Sequence, residues 1–466
     1  MSTPPATPDV AASLYEVRQK IYPRAVHGWF ATWRWLFVIG TQAVFYGLCW
    51  LPWNGRQAVL FDLAARKFYI FGLVFWPQDV FFLTVLLIIS AYSLFLFTAI
   101  GGRLWCGYAC PQTVYTEMFI WVERLIEGDR SAQIRLDKAP LGANKIARKL
   151  AKHAVWLGGS FWTGFTFVGY FTPIKTLSFE VVTMSLGGWE VFWILFYSFA
   201  TYGNAGWMRE QVCKYMCPYA RFQGVMFDPD TLTVTYDVDR GEPRGSRSRK
   251  DDHRADGKGD CVDCGICVQV CPTGIDIRKG LQYECIGCSA CIDGCNQVMD
   301  KVGYPRGLIR YSTQHALKEH WGWRQMLTHI VRPRIIIYTV ILGVIVLAFV
   351  WGLGHKSTLR VDVIRDRGTL AREVEDEQIE NVFRLQVMNV SEQPQRYTMS
   401  VSGIESIAIN GPTEIEVPAA TTKSVSVAVR VPEHSAKKGT NTIYFDVRSL
   451  SDDKVSVHEK ARFLRP

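Results

Sequence analysis

Twelve of the thirteen cysteines fall in four short ordered patterns, and only Cys49 stands alone. Two of these, "CVDCGICVQVCP" and "CIGCSACIDGC", read C-x2-C-x2-C-x3-C, with cysteines at 261, 264, 267 and 271 and at 285, 288, 291 and 295. In two-cluster ferredoxins the three closely spaced thiolates hold three irons of one cube, and the fourth reaches the other cube. The pattern therefore assigns Cys261, Cys264, Cys267 and Cys295 to one 4Fe-4S cluster, and Cys285, Cys288, Cys291 and Cys271 to a second. Structural zinc usually takes two separated C-x2-C pairs instead. Asn296 stands where the second run would carry its usual proline, which removes no ligand. Two adjacent cubes conduct single electrons but name neither donor nor acceptor. With no G-x-G-x-x-G fingerprint and no C-x-x-C-H site, neither a bound nicotinamide nor a c-type haem is indicated.

The other two patterns are paired-cysteine corners. "WCGYACPQ" carries Cys106 and Cys110 before Pro111, and "VCKYMCPY" carries Cys213 and Cys217 before Pro218. Two geometries are open. Each pair shares one helical turn, so that both sulfurs reach one ion, or each proline opens a helix and sets the thiol before it at an N-terminus, where the dipole favours thiolate. Soft thiolates select Cu(I), and a site that holds Cu(I) more tightly than Cu(II) makes Cu(II) easier to reduce. A further cluster and a reversible disulfide are other outcomes of the motif, whereas plain packing of small buried thiols does not account for two thiols and a proline repeated at matching positions. Met216 could add a thioether to the second corner but reads better as packing.

The elements that position these thiols are membrane helices. Runs long enough to cross a bilayer lie at about Phe30 to Leu51, Val80 to Ile100, Ala154 to Phe171, Trp189 to Trp207 and Ile335 to Leu353. Trp29, Trp33, Trp53, Trp76, Trp189 and Trp351 crowd their ends, as interfacial rings do. The polar first 28 residues have no signal-peptide pattern. Nine Lys and Arg, from Arg103 to Lys152, separate the second and third runs, whereas Pro173 to Gly188 holds only Lys175. The positive-inside rule then puts the N-terminus and all twelve patterned cysteines on the cytoplasmic side, and the tail after His355 on the far side. His153 and His329 lie at span edges and read as interfacial residues, not as haem ligands. The net charge of +9 is accounted for by such loops, and no nucleic-acid partner is expected.

Asp239 to Asp260, rich in Gly, Ser and both charge signs, reads as a flexible linker. After the last span, "NVFRLQVMNV", "RYTMSVSGI" and "KSVSVAVRVP" alternate in polarity between turn-prone stretches, the pattern of an immunoglobulin-type β-sandwich. The expected architecture is a multi-domain membrane protein. It has an N-terminal segment (1–28), four transmembrane helices in two hairpins (29–207), a corner with a basic linker (208–260), a two-cluster ferredoxin-like cytoplasmic domain (261–330), a fifth helix (331–356) and a periplasmic sandwich (357–466).

With its motifs in this order, "KIYPRAVHGWF", the two C-x3-C-P corners, "CPTGIDIRKGLQYEC", "GYPRGLIRYST" and the terminal sandwich, the chain resembles the CcoG family, also called FixG or RdxA, almost end to end. The resemblance implies a bacterial inner-membrane accessory protein for assembly of cbb3-type cytochrome c oxidase that reduces Cu(II) to Cu(I). Carried over by motif, the eight cluster cysteines pass electrons while Cys106, Cys110, Cys213 and Cys217 bind or reduce copper. Implied partners are a cytosolic or quinol electron donor, a copper transporter or chaperone, and oxidase assembly factors, with a homodimer left open. Two other classes compete: a quinol-linked electron carrier, resembling membrane polyferredoxins of nitrate respiration that share both corners, and a non-enzymatic redox sensor or assembly scaffold.

Overall fold

The computed structural model describes residues 20–246, 257–366, 371–374 and 378–466. The chain forms two compact units. Of the described residues, one unit takes those within 20–44, 92–165 and 189–339, and the other those within 45–91, 166–188 and 340–466.

In the second unit the C-terminal residues form two antiparallel sheets. One orders the strands Ala408–Asn410, Thr422–Pro432, Gln378–Asn389 and Leu359–Arg365. The other orders Glu414–Val417, Gln395–Ser402, Gly439–Ser449 and Ser456–Arg465. Alternation drives the arrangement. In Thr422–Pro432 the buried residues are Val425, Val427, Val429 and Val431, and Val427 pairs with Phe383 across the sheet. A slip of one residue would turn this whole valine row to solvent. Phe383, Tyr397, Phe445 and Phe463 fill the space between the sheets. The same unit holds a small antiparallel meander, Val59–Asp62, Lys67–Ile70 and Leu73–Phe75, that no motif announced.

Two helices are long and apolar enough to cross a membrane among the described residues, Pro77–Gly101 and Pro333–Gly354. Ile174–Thr183 and Gly188–Met208 pass the same test only together, bent by 96°. The remaining apolar runs are also helical, in forms unlike uniform spans. Trp29–Gly47 stops short of Leu51 and carries the buried Arg34. Ala143–Val168 is a 26-residue helix whose first half bears Lys145, Arg148, Lys149 and Lys152. The fourth run changes from α-helix at Thr201 to π-helix over Tyr202–Met208. Five straight spans are thus more than these helices display, because charges, glycines and hydroxyls interrupt three of the runs.

In the first unit the dicluster segment is flanked by the antiparallel pair Thr233–Tyr236 and Ile309–Ser312. The ends of the expected linker are folded. Val238–Gly241 is a helical turn, and Arg240 pairs with Asp260. Residues 247–256 of that linker, and the N-terminal residues 1–19, lie outside the described residues.

Candidate functional site

The two cysteine runs fold as a repeat at the level of the backbone. Asp263 and Gly287, the residues before the second cysteine of each run, have φ of 51° and 69°; Gly265 and Ser289, after it, have 65° and 60°. Left-handed backbone at a non-glycine residue is uncommon and costs of order 1 kcal/mol. Asp263 and Ser289 therefore mark strained turns that the surrounding fold holds in place. A helix follows each loop, Ile266–Gln269 after the first and Ala290–Val302 after the second. Backbone N–H groups turn toward the sulfurs, Gly287 toward Cys285 and Ala290 toward Cys288.

The two runs lie close enough for their thiols to act on one another. Cys295 is influenced by Cys267, Cys264 and Cys261, and Cys291 most strongly by Cys288, Cys285 and Cys271. Cys291 and Cys295 are one helical turn apart on Ala290–Val302, so one helix carries a cysteine of each expected set. Burial pushes the Cys267 thiol up to about 11 and Cys285 and Cys295 to about 12, and it raises Cys288 and Cys291 as well. Unligated, these groups stay protonated at neutral pH, and a metal must displace the protons to bind.

At the corners the proline-opened geometry is the one found. Cys110 caps the helix Pro111–Glu127 and Cys217 caps Pro218–Met226, each with proline in the first turn. Cys106 sits on the short helix Leu104–Tyr108 and Cys213 on the π-helix Val212–Met216. The expected thiolate does not follow at Cys110. Burial raises its pKa and outweighs the backbone N–H groups of Gln112 and Thr113. Cys106 is pushed to about 11 and Cys213 to about 12, by burial first and then by neighbouring corner thiols. Cys106 donates to the Gln223 side-chain oxygen at 3.4 Å, on the helix that the second corner opens, and Cys106 and Cys213 pack against one apolar cluster, so the two corners meet. Among the described residues, no three His, Cys, Asp or Glu side chains close on one point that a single metal ion could occupy.

The corner also touches the second cysteine run. A Cβ added at Gly107 would lie 2.8 Å from the carbonyl carbon and oxygen of Gly287 and 2.9 Å from the Cys288 nitrogen. Two glycines let the loops meet backbone to backbone. Tyr108 donates to the Ser289 hydroxyl at 3.3 Å, Ser289 donates to Tyr311 at 2.6 Å, and Tyr311 donates to the Gly287 carbonyl at 2.7 Å. Cys106 and Cys213 pack against Ile286, Cys288 and Ala290.

Several residues here were missed from sequence. Arg34 and Arg103 are 6% and 5% exposed, and each leaves its Nε without a hydrogen-bond partner. A charge inside the first apolar run was the available signal for Arg34, since intramembrane charges default to function. Glu123, also buried, accepts from Arg209 at 2.7 Å and Lys152 at 3.3 Å, tying Pro111–Glu127 to Ala143–Val168 and to the end of the π-helix. Met216 is exposed, His153 hydrogen-bonds Tyr202 at 3.0 Å and stacks on Trp207, and His329 stacks on Trp321.

These features define a membrane-associated 4Fe-4S electron-transfer protein, and the residues fit such clusters: eight closely spaced thiols, four of them buried and most set among apolar side chains, with backbone N–H groups turned to the sulfurs. Family models agree on the parts. A "4Fe-4S binding domain" matches residues 82–128, a "4Fe-4S dicluster domain" 208–314, and an "IG-like fold at C-terminal of FixG" 349–466. "Nitrogen fixation protein FixG" of Rhizobium meliloti is 37% identical over 85% of this chain and 81% of its own length. "Protein RdxA" of Cereibacter sphaeroides is 38% identical over 94% of this chain and 95% of its own. A crystal structure of a FixG-related protein from Vibrio parahaemolyticus, 23% identical, covers 24% of this chain and 98% of that one at a TM-score of 0.22. The chain belongs to the FixG/RdxA family.

Proposed function

We propose that the protein is a membrane cupric reductase that supports copper delivery during assembly of cbb3-type cytochrome c oxidase. Cys261, Cys264, Cys267 and Cys295 would hold one 4Fe-4S cluster, and Cys271, Cys285, Cys288 and Cys291 the other. Such clusters supply one-electron transfer. Cys106, Cys110, Cys213 and Cys217 take Cu(II) as substrate, and one electron per ion yields Cu(I), which soft thiolates retain better than Cu(II). Each thiol that ligates copper releases its proton to solvent. The contact of Gly107 with Gly287 and Cys288 is the observation that supports this reading: it sets soft ligands against the loop of a one-electron carrier. In this reading five spans hold the cysteines in the cytoplasm and the sandwich in the periplasm. Electrons come from a cytosolic or quinol donor, and copper passes between a transporter or chaperone and the assembly factors.

The test adds Cu(II) to anaerobic, dithionite-reduced protein while the cluster EPR signal and a Cu(I)-specific chelator are followed. Wild type should lose the signal in step with Cu(I) formation. The Cys213→Ser, Cys217→Ser variant should keep its clusters and form Cu(I) at least tenfold more slowly. Equal rates would mean adventitious reduction at exposed clusters and would turn the reading toward a quinol-linked carrier; copper binding without reduction would turn it toward a sensor or scaffold.

A second reading has its own support. Residues 82–128, matched by the 4Fe-4S binding model, contain only Cys106 and Cys110, and the corner brings Cys213 and Cys217 to complete the four thiols of a third cluster. About twelve iron atoms per chain, against about eight, would decide for it.

A further inference from the structure

The two cysteine groups do not face the same charges. Beside the first, Arg278 acts on Cys267, but this guanidinium is bound to Asp276 at 2.8 Å and also to Asp263, and Asp276 acts on Cys267 in the opposite sense. The local charge is close to cancelled. Beside the second, Arg34 lies against Cys288, with Glu117 3.6 Å from its Nη2 as a partial counter-ion. Arg103 acts on Cys285 and also on Cys106 and Cys213. Its Nη2 donates to the Ala220 carbonyl, its Nε has no partner, and among the described residues no carboxylate pairs with it. A buried cation without a counter-ion is costly unless something negative stands beside it. Four thiolates around a cluster are such a charge, and one more electron makes it larger.

We propose that Arg103, assisted by Arg34, raises the reduction potential of the group held by Cys271, Cys285, Cys288 and Cys291 above that of its neighbour. An electron that enters the pair then settles on the side of the Gly107 contact, next to the corner thiols. The physical cause is Coulombic. A cation in a low-dielectric surrounding stabilises the reduced state, which carries one more negative charge, over the oxidised state. Arg103 lines one small cavity with Cys285 and Gly287, and its backbone lies against Gly287, so its charge is held beside the second group by the fold itself. The inference rests on the two ligand sets proposed above and is independent of copper.

Potentiometric titration of the full-length protein, followed by EPR, tests it. Wild type should give two separate midpoints. Arg103→Gln should lower the higher one by about 59 mV, a tenfold change in a one-electron equilibrium, and leave the lower in place; Arg103→Lys should restore most of the difference. Arg278→Gln should move only the lower midpoint. An unchanged higher midpoint in Arg103→Gln, or an equal fall of both, overturns the proposal. If Arg103→Gln does not take up iron, Arg34→Gln carries the test, with a smaller fall of the higher midpoint expected and no fall overturning it. Iron is counted first, and a wild-type content well below eight atoms per chain overturns the ligand sets and this inference with them.

Discussion

Gly107 is a residue whose importance lies in what it lacks. Its missing side chain lets the C-G-Y-A-C-P corner rest on the backbone of Gly287 and Cys288. Gly107→Ala would force a methyl group to within 2.8 Å of a carbonyl that cannot step aside. Overpacking of this kind costs about 1–3 kcal/mol. The expected outcome is a lower thermal midpoint and slower electron passage to copper, with iron content retained; unchanged kinetics would detach the corner from the cysteine run. The cysteines themselves were legible because their spacing is their chemistry, and the 4Fe-4S domains follow from it. The glycine contact was not legible, since it joins residues far apart in sequence and a glycine carries no functional group to notice. Arg103 was hidden differently: it was counted among loop charges, while the folded chain buries it.

At the scale of elements, the corner depends on helices locked by buried ion pairs. Glu123 of Pro111–Glu127 is bound by Arg209 and Lys152, and Lys152 also reaches Glu127 at 2.9 Å. Burial opposes ionisation of Glu123, yet Arg209 and Lys152 prevail and hold its pKa below the usual 4.5. Its stabilising contribution is therefore present above that value and fades as pH falls through the lowered pKa. Removing one partner from such a network costs about 3–5 kcal/mol, because buried charges are left uncompensated. Glu123→Ala should lower the unfolding midpoint in detergent by several degrees at pH 7, more than Glu123→Gln, and a midpoint equal to wild type would deny the network its structural weight. Sequence counted Lys152 among the basic residues of a loop and read orientation from that count. It could not tell that several face inward, since a helix with charges on one face looks alike whether that face meets water or another helix.

For the whole molecule, the sandwich was the most legible part, because period-two alternation states which face is buried. The membrane helices were legible as apolar runs and less so as shapes. Composition does not reveal a turn to π-helix at Tyr202, a bend of 96°, or a 26-residue helix that is basic at one end and apolar at the other. The proposed topology gives a direct test. Ser451→Cys, on the exposed end of the sandwich, should react with a membrane-impermeant maleimide in spheroplasts, and Lys301→Cys, on the exposed side of Ala290–Val302, should react only after lysis. Mass spectrometry of the two peptides reads the result, and the reverse pattern would invert the orientation.

The meeting of the corners has a bearing on biosynthesis. The first pair of thiols leaves the ribosome long before the second pair, and the loop that seats against Gly107 is later still. The four-sulfur neighbourhood of the corners therefore arises only once the polypeptide has closed on itself.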